Sequence, residues 1–138
     1  SMIHTVKKGQ TLSYGRTHCA ERDMTAATVT VGYADGYPRF MSDKGEVLIG
    51  GKRCKILGRV CMDQMIVDIS GVENVKSGDE VVLFGKQGDE FIPVEEIAGF
   101  GGTINYEIIC GISRRVPRYY LKNGQKITVH DYLLGEDD

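Results

Sequence analysis

The sequence predicts a mainly β fold, a compact barrel-like domain interrupted by one or two short helical inserts. Three observations carry that expectation. Short runs rich in Val, Ile and Thr recur along the chain, and some alternate apolar with polar residues. Gly-Gly or Asn-Gly pairs separate several of them, and 18 glycines in 138 residues suit many tight turns. Only two segments have helical spacing. An all-β barrel or sandwich with small helical insertions accommodates all three.

The elements follow in chain order. A short strand ends at Ser13-Tyr14-Gly15, and a longer one is predicted over 26–33 (AATVTVGY) from its β-branched residues. Residues 46–49 and 53–57 flank Gly50-Gly51, a hairpin signal. In 65–69 (MIVDI) the alternation turns Asp68 away from its apolar neighbours. A further strand, 79–84 (DEVVLF), follows the polar turn Lys76-Ser77-Gly78. Segment 94–98 (VEEIA), opened by Pro93, reads as one or two helical turns with proline at or near the first position. Segment 103–112 (TINYEIICGI) begins with Thr103 as a capping residue and is apolar at 104, 108, 109 and 112. Residues 119–121 and 126–129 bracket Asn123-Gly124, a strong hairpin signal.

Ser1-Met2 reads as a cloning scar, residues 1–5 as a lead-in, 6–132 as one domain and 133–138 as an acidic tail. Seventeen Lys and Arg against 19 Asp and Glu give a net charge of −2, which supplies no electrostatic reason for a nucleic-acid or anionic-membrane partner. No apolar run approaches the roughly 20 residues that span a bilayer. The four cysteines form no C-x-x-C pair, so free thiols in a reducing cytoplasm are expected and no metal site.

Physical chemistry singles out three polar corners: Ser13-Tyr14-Gly15, Gly32-Tyr33-Ala34-Asp35-Gly36 and Arg59-Val60-Cys61-Met62-Asp63. Loops at the ends of a rigid sheet are where sites are built. The same residues also read as plain architecture. Tyr beside Gly packs corners, Asp35-Gly36 makes a turn, and Arg59 with Asp63 forms a surface ion pair worth little. No Ser–His–Asp or Cys–His set, phosphate loop or paired-carboxylate signature is present. Composition and spacing reach a β domain with tyrosine-lined corners and leave both readings open.

In order along the chain, SYG at 13–15, VGYADGYPR at 31–39, GRVCMDQMIVD at 58–68, GDEVVLFGKQG at 78–88 and TINYEIICGISRRVPR at 103–118 closely resemble the C-terminal domain of bacterial alanine racemase. The resemblance runs from about residue 6 to 120. Enzymes of that family are pyridoxal 5'-phosphate-dependent homodimers that interconvert L- and D-alanine for peptidoglycan. An N-terminal (β/α)8 barrel holds the cofactor on a lysine, and each active site is completed by the C-terminal domain of the other subunit. The resemblance thus implies two partners, a barrel domain and a second subunit.

Carried over residue by residue, the resemblance implies that Tyr14 is the catalytic tyrosine, opposite the cofactor lysine across Cα. It implies that Tyr33 lines the substrate pocket and that Met62 and Asp63 lie near the substrate carboxylate, with Cys61 their loop neighbour rather than a nucleophile. Tyr106 matches the tyrosine that bonds the cofactor phosphate and crowds the substrate methyl. Its bulk favours alanine over serine. Arg39, Arg59 and Ile104 match residues of the access corridor, while Arg114, Arg115 and Arg118 read as a structural or surface cluster.

None of the lysines lies in a motif like the family's cofactor-binding lysine, so the chain alone is expected to be inactive. The competing readings are a serine or broad-specificity racemase and a non-catalytic binding or assembly module. Tyr106 opposes the former. The joint presence of Tyr14, Tyr33, Met62, Asp63 and Tyr106 opposes the latter.

Overall fold

The computed structural model describes residues 2–12, 15 and 18–137. In chain order its strands begin with β1 (Ile3–Val6), β2 (Thr11–Leu12), β3 (His18–Cys19) and β4 (Met24–Val29). The hairpin β5 (Glu46–Ile49) and β6 (Lys52–Leu57) follows, then β7 (Met65–Asp68) and β8 (Val81–Val82). A small hairpin of β9 (Gly85–Gln87) and β10 (Glu90–Ile92) leads into helices α1 (Val94–Gly101) and α2 (Asn105–Cys110). The chain ends in β11 (Arg118–Lys122), β12 (Gln125–Asp131) and β13 (Glu136–Asp137).

Six strands form one sheet in the order β1-β4-β7-β6-β5-β8, antiparallel at every pairing. Neighbouring residues on β4 serve opposite faces, as a pleat requires. Ala27 and Val29 join the main core with Val47, Ile56, Val67, Ile97 and Ile108. Ala26 belongs instead to a second cluster with Val6, Leu12, Ala20, Met24 and Leu57. Both faces of the central strands are therefore covered, one by the β9–β10 hairpin and the helices, the other by the β2–β3 hairpin. Truncating a core side chain such as Ile56, which is fully buried, costs about 2–5 kcal/mol in comparable sites.

The mainly β class with two short helices is as expected, but the barrel is not closed. Among the described residues no pairing joins the edge strands β1 and β8. β8 is only two residues long, and separate hairpins and helices seal the faces that a closed barrel would seal with itself. Several boundaries also differ. The strand predicted over 26–33 stops at Val29, because Tyr33–Asp35 makes a 3-10 turn. The 79–84 strand shrinks to β8, since Leu83 and Phe84 pack toward the core and Gly85 turns the chain at φ 117° into β9. Thr103 is not the cap: Ile104 occupies that position, and the Thr103 hydroxyl bonds the Glu107 carboxylate.

The Asn123-Gly124 hairpin is where it was expected, with φ of 53° and 76° at the two turn residues, as a type I′ turn demands. Arg53 organises the helical side of the sheet. Its guanidinium donates to Glu46 at 3.0 Å, to Glu96 at 2.8 and 3.1 Å and to the Phe91 carbonyl at 2.9 Å, joining β5, β6, β10 and α1. No helix among the described residues is long and apolar enough to cross a membrane.

The cysteines differ in reactivity for a physical reason. Cys54 is buried in the main core, and that burial, with Asp68 and Glu46 nearby, pushes its thiol up to about 11. Cys19 and Cys110 are exposed. A thiol-specific chromogenic reagent at pH 8 is expected to label Cys19 and Cys110 promptly and Cys54 only after denaturant is added. Prompt labelling of Cys54 in the folded protein would contradict the packing described.

Candidate functional site

The functional corners are set by strand register. β4 pairs with β7 up to Val29↔Met65, and β7 pairs with β6 through Leu57↔Ile66. The chain leaving β4 and the loop joining β6 to β7 therefore emerge side by side. The first corner is the Tyr33–Asp35 turn, closed by the Asp35 carboxylate, whose Oδ2 accepts the Gly32 N–H at 2.9 Å. Gly36 ends the turn at φ 100°, and a Cβ there would lie 2.3 Å from the Gly111 carbonyl oxygen. Only glycine suits both the torsion and the space.

The second corner, residues 58–64, is held at several backbone points. Gly58 N–H donates to Asp43 Oδ1 at 2.6 Å, Val60 N–H to Ser42 Oγ at 2.9 Å and Cys61 N–H to the Gln64 carbonyl at 2.9 Å. The two corners are joined directly. Tyr33 N–H donates to the Cys61 carbonyl and Ala34 N–H to the Met62 carbonyl, each at 3.0 Å. Gly32 lies at the joint, where a Cβ would be 2.2 Å from the Cys61 oxygen.

Beside this joint opens a cleft of about 830 Å³ whose walls include Tyr33, Arg39, Arg59, Cys61 and Met62. Five of the residues singled out from sequence thus share one cavity. Tyr33 is 44% exposed and Met62 53%, so both present substantial surface at the cleft. Two arginines in its walls favour an anionic group such as a carboxylate or phosphate. The remaining residues are placed differently. Ile104 and Tyr106 lie on the α2 side, 62% and 71% exposed, and are not among the cleft walls. A neighbouring groove of about 360 Å³, bounded by Tyr33, Arg39, Thr103, Glu107 and Ile108, lies between the first corner and α2. Tyr14 lies outside the described residues. Four positions on, His18 Nδ1 is 2.9 Å from Asp43 Oδ1, which links β3 to the start of the second corner.

Asp63 takes a partner that the sequence did not suggest. Arg115 Nη2 donates to Asp63 Oδ1 at 2.5 Å, and Arg115 Nε donates to Asp35 Oδ1 at 2.7 Å. Of the three arginines read as a structural or surface cluster, this one ties two corners together. Arg114 and Arg118 instead lie over the Tyr132 ring, 5.6 and 5.7 Å from its centroid. The Arg115 guanidinium holds the Asp35 carboxyl below the usual carboxylate range, although partial burial opposes it. Asp35 thus does more than make a turn. No local pattern signals these contacts, because the partners lie 80 and 52 residues apart.

Two expectations follow. With its folded-state pKa depressed, Asp35 stabilises the fold above its unfolded value of roughly 3.9, and that contribution disappears as pH falls through the folded value. Urea unfolding at stepped pH is therefore expected to show Asp35→Asn weaker at pH 7 and less pH-dependent between about pH 5 and 2 than the unsubstituted chain. Parallel pH profiles would refute the ion pair. Gly32→Ala inserts a methyl into occupied backbone space, an overpacking change that costs about 1–3 kcal/mol in comparable cases. Thermal unfolding reads it directly, and an unchanged melting temperature would mean that the corners are not in contact.

Comparison with known proteins gives this geometry its family. The model of the family described as alanine racemase, C-terminal domain, matches residues 1–120. Alanine racemase 1 of Clostridium acetobutylicum is 44% identical over 135 residues, covering 96% of this chain and 35% of that protein. Alanine racemase of Halothermothrix orenii is 52% identical over 118 residues, covering 86% and 31%. The crystal structure of the Bacillus anthracis alanine racemase with bound L-Ala-P superposes with a TM-score of 0.89 at 45% identity, over 96% of this chain and 34% of that one. The chain spans about a third of the length of these relatives. With the family model matched over residues 1–120 and relatives 44–52% identical over most of its length, the chain belongs to the alanine racemase family, as the C-terminal domain.

Proposed function

We propose that this chain supplies one wall of a pyridoxal phosphate-dependent alanine racemase site, completed by an N-terminal barrel and by a second subunit of a homodimer. The observation that carries this reading is the shared cleft. Tyr33, Arg39, Arg59, Cys61 and Met62 come from separate stretches of the chain, yet they wall one cavity of about 830 Å³.

The residues present fit the rim of a cofactor site rather than its anchor. Tyr106 is exposed on α2, where its phenol suits a hydrogen bond to a phosphate oxygen, and among the described residues no lysine is in the cleft walls. Bound pyridoxal phosphate supplies the electron sink that makes the α-proton of alanine removable. The chain's own part is to receive the amino acid and to handle one proton. Arg39 and Arg59 draw in and orient the carboxylate, and Tyr33 with Met62 narrows the space around a small side chain. Tyr106 is assigned the exclusion of a hydroxymethyl group once the site is completed, its bulk favouring alanine over serine.

Tyr14 is assigned the proton on one face of Cα. In one direction its phenolate removes the proton, and in the other its phenol returns it. A phenol titrates near pH 10 in isolation, so cations or hydrogen bonds from the completing barrel must favour its ionised form. In the cell this activity provides D-alanine for peptidoglycan from the cytoplasm.

The test mixes the chain with a separately produced barrel domain and pyridoxal phosphate, and follows conversion of L-alanine to D-alanine. The chain alone is expected to be inactive and the mixture active. Tyr14→Phe should lower the rate by about a hundredfold or more, the size of a lost acid–base group, with an unchanged circular dichroism spectrum. Full activity in Tyr14→Phe would sink the proton assignment. Equal turnover of L-serine would sink the substrate assignment.

A further inference from the structure

Arg115 is not among the cleft walls, yet it is bonded to both corners that form them. Its Nε donates to Asp35 Oδ1 at 2.7 Å, and Asp35 closes the Tyr33 turn through its other oxygen. Its Nη2 donates to Asp63 Oδ1 at 2.5 Å, and Asp63 directly follows Met62 of the cleft wall. The segment that delivers Arg115 is hooked to the same turn, since Ser113 N–H donates to the Asp35 carbonyl at 3.0 Å. The joint is thus spanned twice. Two backbone hydrogen bonds cross it at Tyr33 and Ala34, and one guanidinium crosses it between the two carboxylates.

This arrangement needs the shape of arginine as well as its charge. Nε and Nη2 donate from one edge of a rigid plane, and here each donor serves a different carboxylate. Without the cation, Asp35 and Asp63 would meet the joint as like charges. A lysine provides the charge but gathers its donors at a single nitrogen, so it cannot hold both carboxylates at the same spacing.

We propose that Arg115 is a positioning residue for the cleft: by holding Asp35 and Asp63 together it sets the Met62 segment against the Tyr33 turn, and so fixes how tightly the cleft holds a small amino acid's carboxylate. The inference rests on the racemase reading above. Arg115 acts through its neighbours and touches no reacting atom. The carboxylate is held alike before and during proton transfer, so a loosened wall weakens binding and leaves the chemical step nearly untouched.

The experiment splices this chain onto the N-terminal two thirds of the Bacillus anthracis relative and measures alanine racemisation for the unsubstituted chimera, Arg115→Gln, Arg115→Lys and Asp35→Asn. Arg115→Gln is expected to raise KM for L-alanine by about tenfold with kcat within about twofold, and Arg115→Lys to recover only a minor part of that rise. Asp35→Asn removes one arm of the bridge and should raise KM by a smaller factor. It carries the test if Arg115→Gln fails to fold. An unchanged KM, a loss confined to kcat, or full rescue by lysine overturns the proposal. In parallel, amide NMR of the chain itself compares it with Arg115→Gln. Signals of Ala34 and Met62 are expected to move while those of the β5–β6 hairpin stay, and unmoved Ala34 and Met62 signals overturn the proposal. A chimera that fails to racemise alanine at all would refute the functional reading, whereas the NMR result would still decide whether Arg115 positions the joint.

Discussion

The close approach of Gly32 to the carbonyls of Cys61 and Met62 is the contact on which the candidate site depends. A side chain at position 32 would occupy the space of the Cys61 oxygen. Because none is there, the N–H groups of Tyr33 and Ala34 reach carbonyls on the facing loop at 3.0 Å. That distance brings Tyr33 and Arg39 from one corner into the same cavity as Arg59 and Met62 from the other. Widening it by even an ångström would break two backbone bonds and pull apart the walls of the cleft.

The sheet makes that approach possible. β7 lies between β4 and β6, and its pairings at Val29↔Met65 and Leu57↔Ile66 bring the two corners to the same end of adjacent strands. A one-residue slip would exchange the faces of Val67 and Asp68, which would place a carboxylate in the main core. The hydrophobic alternation that secures the core therefore also secures the cleft. Arg53, on the helical side of the sheet, fixes α1 through Glu96, and α2 follows directly after α1. The groove beside the first corner thus inherits its shape from the same scaffold.

Local features were legible in the sequence wherever short-range chemistry decides them. Glu46–Ile49 and the Asn123-Gly124 hairpin are where periodicity and turn residues put them. Boundaries were misread where a tertiary contact outweighs propensity. Thr30 and Val31 favour a strand, but the approach to Cys61 and the Tyr33–Asp35 turn end it at Val29. Barrel closure was not legible at all, because it depends on whether β1 and β8 meet and not on any single segment. Of the residues that the family resemblance named, Tyr33, Arg39, Arg59, Cys61 and Met62 line one cavity, whereas Asp63, Ile104 and Tyr106 do not. The roles of Asp35 and Arg115 escaped because each residue, read alone, has an ordinary explanation in a turn or on a surface.

The exposed aromatic and aliphatic surface bears on how such a half-site would be completed. Ile104 and Tyr106 on the α2 side, Met62 at the cleft and Phe40 and Phe100 near the groove are all exposed, while the core residues beneath them are almost fully buried. Leaving so many large apolar side chains in water forgoes roughly 25 cal/mol for each Å² that a partner would cover. On the proposed reading a barrel domain covers this surface, and its cover also removes water from the cleft. The arginines then act in a lower dielectric, where their attraction for a carboxylate is stronger than at the open lip seen here. The firm joint between the corners matters most in that setting. A partner can complete a cleft only if the walls it meets are already at their working separation, and in this chain the Gly32 contact and the Asp35–Arg115–Asp63 bridge hold them there before any partner arrives.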